Sequence, residues 1–86
     1  MAITLELAPD LARVFGKREV SIEANSPRQI AQRLAAAYPR LRNYFLDSAG
    51  DPRPSLFFYV DDALLGDDEA IPDGAIVGMI FQISGG

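Results

Sequence analysis

Eighty-six residues make one small domain, and the absence of cysteine and histidine excludes disulfides, thiolate or imidazole metal sites, a cysteine nucleophile and the commonest general base. A net charge of −4, with the eight basic residues scattered along the chain, argues against a nucleic-acid partner, whose phosphates ask for a basic stripe. The opening MAITLELAPD has no positively charged leader region, and no apolar run approaches the roughly 20 residues that span a bilayer, so a cytoplasmic domain without a membrane partner is expected.

The first pattern is strict alternation. Ile3, Leu5 and Leu7 fall on one face of ITLELA, with Thr4 and Glu6 on the other, which is the period of a half-buried strand. REVSIEA repeats it, with Val20, Ile22 and Ala24 inward and Glu19, Ser21 and Glu23 outward. Between them, Pro9, Asp10 and Gly16 punctuate a long connection, so the two strands read as a hairpin. Leu11, Val14 and Phe15 are expected to fold back from that connection onto the core.

NSPRQIAQRLAAAYP then reads as a capped amphipathic helix. Ser26 is a good N-cap, Pro27 suits the first turn, and Gln29 completes a capping box. Ile30, Leu34 and Tyr38 recur at helical spacing beside Ala31 and Ala35, while Arg28, Gln32 and Arg33 face out. Pro39 stops the helix. PRLRNYFLD adds a short helical turn burying Leu41, Phe45 or Leu46, and SAGDPRPS is a loop.

SLFFYVDD reads as a third strand with Leu56, Phe58 and Val60 on one face and Phe57 and Tyr59 on the other. The acidic stretch DDALLGDDEAIPDGA is turn-rich, with a short edge strand near Leu64 and Leu65. Pro72, Asp73 and Gly74 form a turn into the last strand, AIVGMIFQIS, which is apolar on both alternations. Such a strand lies mid-sheet with both faces covered, or offers one face to a partner. The order β-β-α-β-(β)-β predicts an α+β domain, a small mixed sheet with one main helix on one face and the last strand central beside the first. Residues 1–83 form that domain and residues 84–86 a tail ending in Gly-Gly.

SPRQIAQRLAAAYP, followed by IPDGAIVGMIFQISGG with its Asp-Gly turn, last strand and terminal Gly85-Gly86, resembles the ubiquitin-like sulfur carriers of the MoaD/ThiS family along the whole chain. The resemblance implies a β-grasp fold. It further implies that an E1-like adenylating enzyme activates the carboxylate of Gly86 with ATP, and that sulfur from a donor replaces AMP to give a thiocarboxylate. The thiocarboxylate would serve a sulfur-accepting synthase in molybdopterin, thiamine, cysteine or similar biosynthesis. The chain would then be a protein co-substrate rather than an enzyme, binding no cofactor or metal itself. Two departures stand out: Gln82 occupies a position where the family often has proline, and Asp61-Asp62 a position where it often has an Asn-Gly type of turn. The longer stretch between the helix and the third strand is closer to the variants serving cysteine or specialised sulfur metabolites.

The residue types suit that chemistry. Glycine at positions 85 and 86 lets a tail thread an adenylating channel without side chains to crowd it. Ordering such a tail costs about 1–2 kcal/mol per residue, so a separate surface must supply the binding energy. Phe57 and Tyr59, flanked by Met79 or Ile80, are candidates for that surface; the alternative is that they complete the core. Asp61 and Asp62, within the wider acidic set Asp67, Asp68, Glu69 and Asp73, would steer the domain onto a basic partner, or else form a solvated loop. Two other readings remain open, a protein modifier conjugated through Gly86 and a non-catalytic β-grasp interaction module with an inert tail.

Overall fold

Residues 2–81 are described by a computed structural model. The first alternation forms β1 (Ala2–Leu7), antiparallel to β2 (Glu19–Glu23), with Ile3 opposite Ile22 and Leu5 opposite Val20. Ile3, Leu5 and Leu7 are buried as expected, whereas Val20 and Ile22 are only half-buried, because β2 lies at the sheet edge. The connection between these strands is a helix, α1 (Pro9–Phe15), rather than an irregular loop. Pro9 occupies its first turn, and Gly16, at φ 77°, donates its N–H to the Ala12 carbonyl, which ends the helix through a left-handed residue. The inward face of α1 runs through Leu11, Ala12 and Phe15, and the Phe15 ring lies 4.7 Å from Tyr38 and 5.9 Å from Phe45. Val14 falls to the side of that face and is exposed, contrary to expectation.

The capped helix is α2 (Pro27–Ala37). Ser26 Oγ accepts from the Gln29 N–H at 3.3 Å, and Gln29 Oε1 accepts from the Asn25 N–H at 2.7 Å. The return bond of the box thus reaches one residue beyond the cap. Ile30, Ala31, Leu34 and Ala35 are buried, so the helix lays its apolar stripe on the sheet. A 3-10 turn (Pro39–Leu41) and a single helical turn, α3 (Arg42–Phe45), follow, and they bury Phe45 and Leu46.

The sheet is completed by β3 (Leu56–Val60), β4 (Ala63–Leu64) and β5 (Ile76–Phe81), in the order β2-β1-β5-β3-β4. β5 is central, parallel to β1 and antiparallel to β3. Val77, Met79, Leu56 and Phe58 join Ile3 and Leu5 beneath α2.

The acidic segment before β5 is held more firmly than a solvated loop. Ile71 is buried and donates its N–H to the Asn25 carbonyl, while the Arg28 N–H bonds the Asp67 carbonyl at 2.8 Å. The Arg28 side chain reaches both Asp51 (Nη1 to Oδ1, 2.6 Å) and Asp68 (Nε to Oδ1, 2.8 Å). Among the described residues no helix is long and apolar enough to cross a membrane.

Candidate functional site

With α2 packed on one face of the sheet, the other face carries the side chains of opposite parity. β3 supplies Phe57 and Tyr59; β5 supplies Ile76, Gly78 and Ile80. The register sets Phe57 against Ile80 and Tyr59 against Gly78, and Tyr59 in turn faces Leu64 of β4. Residues directly opposite in adjacent strands share a face with their side chains in contact range. Phe57, Tyr59, Leu64, Ile76 and Ile80 therefore form one apolar surface across three strands. Leu64, Ile76 and Ile80 are 55%, 58% and 44% exposed, an unusual amount of apolar area for a face that the other described residues leave open.

Two of the four apolar residues expected on this surface are half-buried there, Phe57 and Tyr59, and Ile80 is exposed beside them. The fourth is corrected. Met79 is completely buried in the core, because adjacent strand residues point to opposite faces and the Met79 side is the one α2 covers. Ile76 and Leu64 complete the surface although neither was a candidate. Their membership depends on cross-strand register, which the single-strand alternation does not specify.

Gly78 opens a depression in the middle of this face, walled by Glu6, Tyr59, Asp61, Asp62 and Ile76. A Cβ placed on Gly78 would meet nothing within 4 Å, so packing among the described residues does not demand glycine there. Asp61 and Asp62 are the two-residue loop joining β3 to β4, and both have positive φ, 50° and 67°. That is the sign at both central residues of the hairpin turn for which Asn-Gly is favoured, so Asp-Asp builds the same kind of turn. Glu6, Asp61 and Asp62 form no ion pair among the described residues, and the face is apolar with an acidic rim. The rest of the acidic set belongs elsewhere: Asp68 is tied to Arg28, and Glu69 Oε1 accepts from the Gly66 N–H. Arg28 hydrogen bonding holds the Asp68 carboxyl below the usual carboxylate range and pushes the guanidinium further up.

Gly85 and Gly86, together with Gln82, Ile83 and the expected tail of residues 84–86, lie outside the described residues. The described chain reaches Phe81 opposite Leu56, at the end of the sheet away from the Asp61-Asp62 turn. Among the described residues no group of three or more acidic side chains is placed to hold a metal ion.

Comparison of the sequence with protein-family models and with curated proteins finds no match. Solved structures do match. SAMP1 from Haloferax volcanii is 21% identical with a TM-score of 0.82, covering all of both chains. CysO from Mycobacterium tuberculosis is 22% identical with a TM-score of 0.71, over 94% of this chain and 99% of that one. The Amycolatopsis orientalis BexX/CysO complex contains a chain 16% identical with a TM-score of 0.76, over 99% of this chain and all of that one. The chain shares the ubiquitin-like β-grasp fold of these proteins.

Proposed function

We propose that the chain is a ubiquitin-like sulfur carrier, activated at the carboxylate of Gly86 by an E1-like adenylating enzyme. The observation that carries this reading is a juxtaposition. The central strand β5 of a β-grasp sheet leads in sequence into Gln82-Ile83-Ser84-Gly85-Gly86, and the same strand contributes Ile76 and Ile80 to an apolar face left open among the described residues. Activation would join the carboxylate oxygen to the α-phosphorus of ATP and release pyrophosphate. A sulfide-level nucleophile from the donor would then form the C–S bond as the bond to AMP breaks. The chain needs no base or nucleophile of its own for either step, in keeping with its lack of cysteine and histidine. It acts as a co-substrate, and the sulfur-accepting synthase and the adenylating enzyme are its partners. The Phe57–Ile80 surface supplies the docking energy, and the acidic rim of Glu6, Asp61 and Asp62 favours a basic partner surface and a fast encounter.

The experiment is an intact mass of the protein from its native host, taken before any reducing or alkylating step, followed by reconstitution with the activating enzyme, ATP and a sulfide donor. One oxygen-to-sulfur exchange localised to the peptide containing Gly86 is expected, and it is expected to vanish in Gly86→Ala while the fold persists. An unmodified carboxylate after reconstitution would overturn the carrier reading. A second reading has its own support, because the H. volcanii relative SAMP1 is a small archaeal modifier protein, and a second crystal structure of it also matches (19% identical, TM-score 0.79, over 95% of this chain and 98% of that one). Lysine-linked adducts that survive reducing denaturing gels would show the same terminus used for conjugation.

A further inference from the structure

The two edges of the sheet are unlike: β4 is two residues long, whereas β2 presents five residues of backbone. The Leu7 N–H bonds the Arg18 carbonyl at 2.8 Å, and the same antiparallel register places Leu5 opposite Val20 and Ile3 opposite Ile22. Antiparallel ladders alternate, so Val20 and Ile22 turn their backbone groups toward β1 while Glu19, Ser21 and Glu23 turn theirs outward. Beneath that edge a groove runs between β2 and α2, lined by Val20, Ile22, Leu34 and Tyr38 and bordered along β2 by Glu19, Ser21 and Glu23. Lys17 stands at the end where β2 begins, and Arg33 faces the groove near Glu23. Neither cation forms an ion pair among the described residues. Strand alternation directs the side chains of Glu19, Ser21 and Glu23 to the other face of β2, and all three residues are exposed.

The charges decide the occupant. Antiparallel pairing of β2 with a second copy about Ser21 would set Glu19 against Glu23 twice, and like charges directly opposite are destabilising. Such charges are how natural edges resist self-association. They attract a strand of the reverse pattern. We infer that the β2 edge and its groove accept an extended segment of a partner protein by strand addition. The segment carries β-branched apolar residues toward the groove, an acidic residue at each end of that side for Lys17 and Arg33, and lysine or arginine on the other face for Glu19 and Glu23. This surface is separated from β5 by β1 and does not depend on the sulfur-carrier reading.

The test is a nitrogen-15 NMR titration of the full chain with the capped peptide Asp-Lys-Val-Lys-Val-Lys-Asp, against a peptide of equal composition whose lysines and valines do not alternate. The alternating peptide is expected to shift the amides of Glu19, Ser21 and Glu23 and slow their hydrogen exchange, and the control is expected to do neither. Ser21→Pro removes an outward N–H without removing a ladder bond to β1, and should abolish binding. Arg33→Glu, at an exposed helix position, should weaken binding about fivefold or more while leaving the fold unchanged. Failure to slow exchange at those amides, shifts that map instead to Phe57 and Ile80, or equal binding by Arg33→Glu would overturn the proposal. Concentration-dependent protection of the same amides without peptide would also overturn it, by identifying a second copy as the occupant.

Discussion

Met79 and Ile80 are adjacent and both apolar, yet their surroundings ask opposite things of them. Met79 has no solvent exposure and sits under α2, whereas Ile80 is 44% exposed beside Phe57. Truncating the first removes packed core atoms; altering the second or its partner changes a surface. Met79→Ala is therefore expected to cost about 2–5 kcal/mol of stability. Phe57→Glu is expected to cost at most about 1 kcal/mol, the scale of a single cross-strand pair, while sharply lowering the thiocarboxylation of Gly86 that the proposed function requires of the activating enzyme, ATP and a sulfur donor. Urea denaturation of both variants, with a thiocarboxylation assay on Phe57→Glu, checks this. If Phe57→Glu unfolds the domain, Phe57 belongs to the core and the docking surface is misplaced.

At the scale of elements, the turn between β3 and β4 carries the clearest local cost. Asp61 and Asp62 both hold positive φ, a region that costs L-residues roughly 1–2 kcal/mol, less for aspartate than for most. Glycine at the second position relieves that strain but brings its own entropy of about 0.5–1 kcal/mol. Asp62→Gly should consequently stabilise the domain by about 0.5 kcal/mol, a rise on the order of 3 °C in the thermal midpoint. A calorimetric midpoint that fails to rise would show that the aspartates are not strained in that turn. The elements differ in how far the sequence announced them. α2 was legible because Ser26, Pro27 and Gln29 mark its start and four buried residues repeat along it. α1 was not, because its seven residues are too short for a period to separate from loop punctuation, and its Pro9 and Gly16 serve equally as turn residues or as helix ends. The alternation in β3 correctly paired Phe57 with Tyr59. Placing Ile80 rather than Met79 beside them required the register of two strands separated in sequence, which no local pattern holds.

Across the whole molecule, Arg28 joins parts of the chain that are distant in sequence. Its side chain bridges Asp51, in the loop before β3, and Asp68, in the segment before β5, from the first turn of α2. The composition displayed this acidic segment as surplus charge, when part of it is a clasp over the helix amino terminus. The sign of its pH dependence follows from the direction of the Asp68 shift. Its folded carboxyl is held below the ordinary value by the Arg28 hydrogen bond, so the unfolded chain binds the proton more readily. The stabilisation is present above the unfolded carboxylate value of about 3.9 and is lost as pH falls through the lower folded one. Asp68→Asn should accordingly be less stable than the parent at neutral pH, with the gap closing as pH drops below about 4. Because the pair is exposed, roughly 1 M salt should narrow the same gap at neutral pH. Urea midpoints measured from pH 7 downward in both proteins check this. A gap that stays constant into acid would mean that Asp68 acts through its shape and neutral hydrogen bonds, and that the charge of the Arg28 clasp does not hold the loops to the helix.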